Sequence, residues 1–462
     1  MGFNMKKYNI SDFGALSDGT LQTEKIQRAI DECFLSGGGI VIIPCGEYLT
    51  GGIRLRSNVT LYLKSGAVLK ASRNPDDYFS YKNDKIEPLP DDKITDAPYV
   101  HLSTIKGETK YEENKSEYRF KRIPGSRWNN AIIRTIDAEN VAIIGEKDSV
   151  IDGDNCYDAQ GEEDYRGPHG LTLFNTKNIK LSGYTIQNCG NWAHNLLFCD
   201  NIEATGITVL AGHDGFDAAV CNNLKITDSS FYTGDDCIAG FGNMNVFVSD
   251  CVMNSACSAM RFGGTNVIVE KCRMFGPCKY YFRGSLSDEE KRSGSMSAKK
   301  GRNNMLSAFT YYADYSLPIK EQPGNIIIKN CEIENAGKLL HYNYSETEIW
   351  QKNRPLSDIT FENVNMSGVS LPIILRGSEE VPVYLTLKNV NADVGENGVK
   401  LKSFINAQNF GAIRMDKFCL KNFKGLAVIL KNTDGEVRAR DVNVGNTAIE
   451  EKTDKAFEIK AI

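Results

Sequence analysis

The sequence predicts an all-β chain wound as a single-stranded parallel β-helix of about ten coils, and three observations carry that prediction. A motif of the form Asn-apolar-x-apolar recurs as NVTL at Asn58, NVAI at Asn140, NIKL at Asn178, NIEA at Asn201, NLKI at Asn223, NVFV at Asn245, NVIV at Asn266 and NIII at Asn325, with a weaker copy, DITF, at Asp358. From Asn178 to Asn266 the steps are 23, 22, 22 and 21 residues. Short alternating strands separated by Gly, Asn and Asp at such a period are the signature of a coiled solenoid. Composition agrees: 41 glycines against 13 prolines means many tight turns and little rigid linker. A length of 462 residues would otherwise suggest two or three domains. A solenoid core grows in one dimension, however, so residues 1–462 read as one domain.

Taken in chain order, the N-terminal stretch MGFNMKKYNISDFGALSDG has two lysines and no apolar run, which leads us to expect a cytoplasmic protein without a secretory leader. Residues 22–36 place Ile26, Ile30, Cys33 and Phe34 at helical spacing ahead of Gly37, Gly38 and Gly39. This predicts an amphipathic helix that caps the first coil. Two stretches, 74–130 and 284–325, are polar and aromatic-dotted and are expected to be long loops on one flank. A leucine-rich repeat has a similar period, but its leucine framework is missing.

Thirteen cysteines lack the paired spacing of a zinc site. Cys251, Cys272 and Cys331 fall six residues after Asn245, Asn266 and Asn325, so a ladder of small buried thiols is expected. The net charge of −5 gives no footprint for nucleic acid, and no stretch is apolar enough to span a membrane.

The chemistry concentrates in AGHDGFDAAVCNNLKITDSSFYTGDDCIAGFG, residues 211–242. Asp214 and Asp236 are 22 residues apart, one coil, with Asp235 beside them and Asp217 nearby. Clustered carboxylates cannot all ionise cheaply, so one is expected to hold a proton near neutrality. A protonated acid beside ionised ones is what glycoside hydrolysis requires. At the same spacing, Asn191, His213 and Asp235 form one column and Trp192, Asp214, Asp236 and Ser258 another. Trp192 reads either as a stacking platform for a sugar or as a core-filling indole.

The segments DFGALSDG, SGGGIVIIPCGEYLTGGIRLRSNVTLYL, IDGDN, Asn191-Trp192, DGFD and TGDD resemble the polygalacturonase-like glycoside hydrolase family 28, in order from about residue 12 to about 275. The resemblance implies a right-handed β-helix and an inverting hydrolase. By motif it implies Asp235 as general acid, with Asp214 and Asp236 holding and activating the water. Three departures stand out. The family's Asn-Thr-Asp is Gly212-His213-Asp214, its Gly-His-Gly is replaced by SACSAMRFGG, and in place of Arg-Ile-Lys lies YYFRG at Tyr280–Gly284. His213 is therefore a candidate for the missing imidazole, or a turn histidine bonded locally.

Arg261 and Arg283 follow the aspartates and are expected to pair with a substrate carboxylate. Lys299, Lys300, Arg302, His169, His194, Tyr311, Tyr312 and Trp350 are further candidates for the rim. The expected partner is an oligosaccharide, with no metal and no cofactor. Two alternatives stand beside the hydrolase: a β-helical lyase or uronate epimerase, and a sugar-binding solenoid without activity.

Overall fold

The computed structural model describes residues 6–78, 130–161, 166–292, 304–313, 321–344, 354–432, 435–445 and 447–455. Most of the expected 74–130 loop therefore lies outside the described residues, as do Lys299, Lys300, Arg302 and Trp350. The chain divides into two compact units. The first comprises Met1–Asp235, Tyr280–Gly301 and Ser316–Pro318; the second comprises Asp236–Lys279, Arg302–Tyr315 and Ile319–Ile462.

Each unit is a stack of parallel β-coils. In the first, the strands Gly39–Ile43, Val59–Leu63, Glu139–Gly145, Lys177–Ser182, Asp200–Thr205 and Asn222–Thr227 pair in parallel, in that order. The register stacks Val41, Leu61, Ile143, Leu181, Ala204 and Ile226 in one buried column. In the second unit the equivalent column is Val248, Val269, Ile328, Phe361, Leu387, Met415 and Ala439. Side chains one coil apart lie about 4.8 Å from each other, so each column packs as the apolar interior of its own unit.

The asparagine that opens each repeat has a specific task. Asn58, Asn140, Asn178, Asn201 and Asn223 all sit at φ between 54° and 61°, the left-handed corner that asparagine tolerates better than most residues. Each amide donates to its neighbour: Asn140 to Asn58 at 2.8 Å, Asn178 to Asn140 at 2.9 Å, Asn201 to Asn178 at 3.1 Å and Asn223 to Asn201 at 2.9 Å. In the second unit, Asn266 donates to Asn245 and Asn325 to Asn266. The thiol ladder obeys a rule of its own. Cys251, Cys272 and Cys331 are buried and each donates to the carbonyl two residues back. All thirteen cysteines are free.

The N-terminal helix spans Thr23–Leu35 and buries Ile26, Ala29, Ile30 and Cys33, while Phe34 stays 40% exposed. Gly38 ends it at φ 104°, and a Cβ there would lie 2.4 Å from the Asn58 carbonyl oxygen. No other residue fits that corner.

Two features depart from the expected pattern. The stretch 284–325 is not all loop: Met305–Tyr311 is a strand, pairing in parallel with Ser258–Glu270 and with Ala336–Asn343. The asparagine corner of its coil, Asn325, comes later in the chain, in the strand Gly324–Glu334 that pairs with the same Ser258–Glu270. At the C-terminal end Glu436–Val444 pairs antiparallel with Thr447–Lys455, which occupies a ladder edge otherwise open to a further strand.

Candidate active site

In the first unit the outer face of adjacent coils stacks Arg54, Arg134, Thr172, Asn195 and Asp217 in register. The arginines of this column carry no repeat motif, and sequence reasoning passed over them. Only pairing register reveals that they share a face with Asp217. Asp214 and Asp217 are each 5% exposed; Asp214 precedes Gly215 in the turn, and Asp217 lies in the strand Phe216–Ala219 that follows.

That turn is held from within. His194 is fully buried, stacked 5.0 Å from Phe216, and its Nδ1 lies 2.9 Å from the Gly215 carbonyl oxygen. Its Nε2 lies 2.9 Å from the Tyr184 hydroxyl. A carbonyl only accepts, so Nδ1 carries the proton and Nε2 accepts from Tyr184. Burial lowers the His194 pKa to about 4. The sign of the consequence follows. Above pH ~6.5 the ring is neutral folded and unfolded; below it the unfolded chain takes a proton that the folded one refuses. Stability is therefore expected to fall as pH drops from ~6.5 to ~4, by up to about 1.4 kcal/mol per pH unit for this group, and then to level off. Denaturant unfolding at several pH values checks this. His194→Phe should show a shallower slope in that window, although it is less stable at pH 7.

The Asp235 turn and the Asp214 turn also share a support. Gly234 donates its N–H to the Ala211 carbonyl at 2.8 Å, and a Cβ on it would meet the Tyr281 carbonyl at 2.2 Å and the Gly212 carbonyl at 2.6 Å. The Arg283 N–H donates to the same Gly212 carbonyl at 2.8 Å. Asp235 is half-buried, and the Thr233 hydroxyl donates to its carbonyl at 2.7 Å. The loop at Tyr280–Gly284 thus braces both turns.

Several expected roles change. Arg283 is 1% exposed and does not face a substrate. Its guanidinium donates to Asn155 Oδ1 at 2.8 Å and to the Asn155 carbonyl at 3.2 Å, which ties together chain segments 128 residues apart. His213 is fully buried, edge-on to Phe282 at 5.9 Å. Burial, then the charges of Arg166, Arg283, His169 and Lys291, hold its pKa well below the usual histidine range. Kept largely unprotonated and set edge-on to Phe282, the ring packs as part of the wall behind Asp214. Trp192 is 5% exposed and packs on His169 at 5.4 Å, so it fills core and offers no open platform. His169, His194 and Tyr311 are likewise interior and do not belong to the rim.

In the second unit Asp236 is completely buried. Its Oδ1 accepts the Ser258 N–H at 3.0 Å, as expected for residues stacked one coil apart, and its Oδ2 lies 3.7 Å from Arg261 Nη1. Arg261 keeps 27% of its side chain exposed and lies 4.3 Å above the Tyr312 ring, which is itself edge-on to Phe241. Its fork is therefore oriented on two sides while part of it stays open to a ligand. Asp236 and Cys257 place ligand atoms within 4.8 Å of each other. One thiol among carboxylates is a poor set for a hard oxygen-seeking cation.

Comparison with known proteins gives the same direction. Residues 101–258 match the profile of Glycosyl hydrolases family 28. A probable polygalacturonase of Vitis vinifera is 29% identical over 244 residues, covering 50% of this chain and 43% of that protein. An exo-poly-alpha-D-galacturonosidase of Dickeya chrysanthemi is 27% identical over 270 residues, covering 51% of this chain and 42% of that protein. The chain thus spans less than half the length of these two relatives. Among solved structures, a hyperthermoactive exopolygalacturonase from Thermotoga maritima superposes with a TM-score of 0.58 at 17% identity, over 99% of this chain and 95% of that one.

Proposed function

We propose that this chain belongs to glycosyl hydrolase family 28, whose profile residues 101–258 match, and that it hydrolyses glycosidic bonds in acidic, pectin-like saccharides with inversion at the anomeric carbon. The observation that carries this reading is the triple of Asp214, Asp235 and Asp236, with Asp214 and Asp236 one 22-residue period apart. Asp235, half-buried on a braced turn, protonates the leaving oxygen. Asp214 and Asp236 hold the water and take its proton as it attacks the anomeric carbon from the opposite face. The bond from the anomeric carbon to the leaving oxygen breaks as the new C–O bond forms.

Arg261 supports an acidic substrate, because its planar guanidinium, on a partly exposed side chain, matches a carboxylate. We expect Arg261→Ala to raise KM for oligogalacturonides by ten-fold or more while leaving methyl-esterified analogues nearly unchanged. Steady-state kinetics on the two substrate series measures this, and equal effects on both would make Arg261 structural. Reducing-sugar release from a panel of pectic oligosaccharides tests the reaction itself. An unsaturated product absorbing in the ultraviolet would identify a lyase, and binding without turnover an inactive solenoid.

A further inference from the structure

Beyond Asp236, the same outer face of the second unit continues in register. Asp236 stacks on Ser258, Ser258 on Ser307, and Ser307 on Lys338, the first three of them buried as a polar floor; beside them the half-buried Arg261 stacks on Thr310 and Thr310 on His341. The inner side is closed by paired buried residues, Ala259 and Met260, Ala308 and Phe309, Leu339 and Leu340. Because two consecutive residues point inward, the residues on either side of them share the outer face. Ser258 Oγ and Thr310 Oγ1 are 3.3 Å apart, and Lys338 Nζ lies 3.3 Å from His341 Nδ1. In the next coil Asn343 pairs with Arg376, whose Nε is buried without a hydrogen-bond partner among the described residues.

Lys338 and His341 thus adjoin, Arg376 lies one coil on and two residues along, and no carboxylate is paired to any of the three among the described residues. Burial lowers the pKa of Lys338 below the usual lysine range. Burial, followed by the charges of Lys338 and Arg376, brings His341 down to about 4. Crowding cations in a half-buried place is unfavourable unless an anion completes the set. Three coils separate Lys338 from Asp236, about 14 Å along the face at 4.8 Å per coil.

We propose that Lys338, His341 and Arg376 form a subsite for a carboxylate of a uronate-containing saccharide that lies along this face from Asp236. Lys338 supplies a point charge, Arg376 a planar fork, and the neutral His341 ring a lone pair that takes one Lys338 proton and aims the other two outward. The proposal rests on the hydrolase reading for the identity of the saccharide and not for the presence of an anion site.

The test is calorimetric titration of Asp235→Asn protein, which blocks turnover, with hexagalacturonate, with its carboxyl-reduced counterpart, and with inorganic phosphate. Lys338→Gln and Arg376→Gln should each weaken hexagalacturonate binding ten-fold or more and leave the reduced hexasaccharide unchanged. Lys338→Arg should retain most of the affinity, and saturation should raise the His341 pKa measured by NMR. Unchanged affinity in both Gln variants, equal losses for the acidic and reduced sugars, or phosphate binding as tightly as hexagalacturonate would each overturn the assignment. Lys338-dependent binding of hexagalacturonate by a parent protein that cleaves no galacturonide would leave the subsite standing and remove the hydrolase reading instead.

Discussion

Asp235→Asn is expected to lower turnover by about 10²–10⁴, the range that a positioned general acid contributes, while binding of the saccharide survives. The amide keeps the size and the hydrogen-bonding reach of the carboxyl group but has no proton to give to the leaving oxygen. Asp236→Asn should cost a similar factor for a different reason. Asp236 is completely buried, with Oδ1 on the Ser258 N–H and Oδ2 toward Arg261. The amide cannot present an acceptor on both sides, so the water loses its anchor and Arg261 its counter-charge. Stopped-flow or steady-state turnover with a substrate that the parent cleaves decides both. NMR of the fresh product supplies an independent check, since retention of the anomeric configuration is incompatible with water attacking directly. Near-wild-type turnover in either variant would remove these assignments.

The second large effect is expected at Arg283, and it is one of stability. Replacing it by alanine should destabilise the protein by about 3 kcal/mol or more, because a large buried side chain disappears and leaves Asn155 oxygens without their charged donor. The main-chain bond from residue 283 to the Gly212 carbonyl remains available, so the loop has a reason to stay near the Asp214 turn. Arg283→Lys should recover only part of the loss, since one ammonium replaces a fork with several donors. Denaturant unfolding measures the change. The ratio of KM values for acidic and neutral substrates should be that of the parent. A selective loss for the acidic substrate, at unchanged stability, would restore Arg283 to substrate recognition.

Both results bear on what repeat arithmetic can deliver. The asparagine motif identified the coil corners, because each requires a left-handed residue whose amide also bonds the next coil, and that constraint is local and recurs in sequence. The helix at Thr23–Leu35 was legible for the same reason: its apolar spacing and terminal glycines are short-range requirements. The stacking of Asp236 on Ser258 followed from the period alone.

What the period does not carry is the direction in which a side chain points. Strict alternation would send Lys338 and His341 to opposite faces, and only the consecutive burial of Leu339 and Leu340 brings them together. Trp192 and His213 are both turned into the wall of the site, where packing and not periodicity sets their orientation. Arg283 finds its partners 128 residues away, and no local pattern encodes such a contact. The sequence by itself determined the coil, its corners and the aspartates' order along it, since those follow from backbone conformation and residue spacing. Tertiary structure decided which cations remain open to a ligand, because that depends on which of them the buried oxygens of distant segments have already claimed.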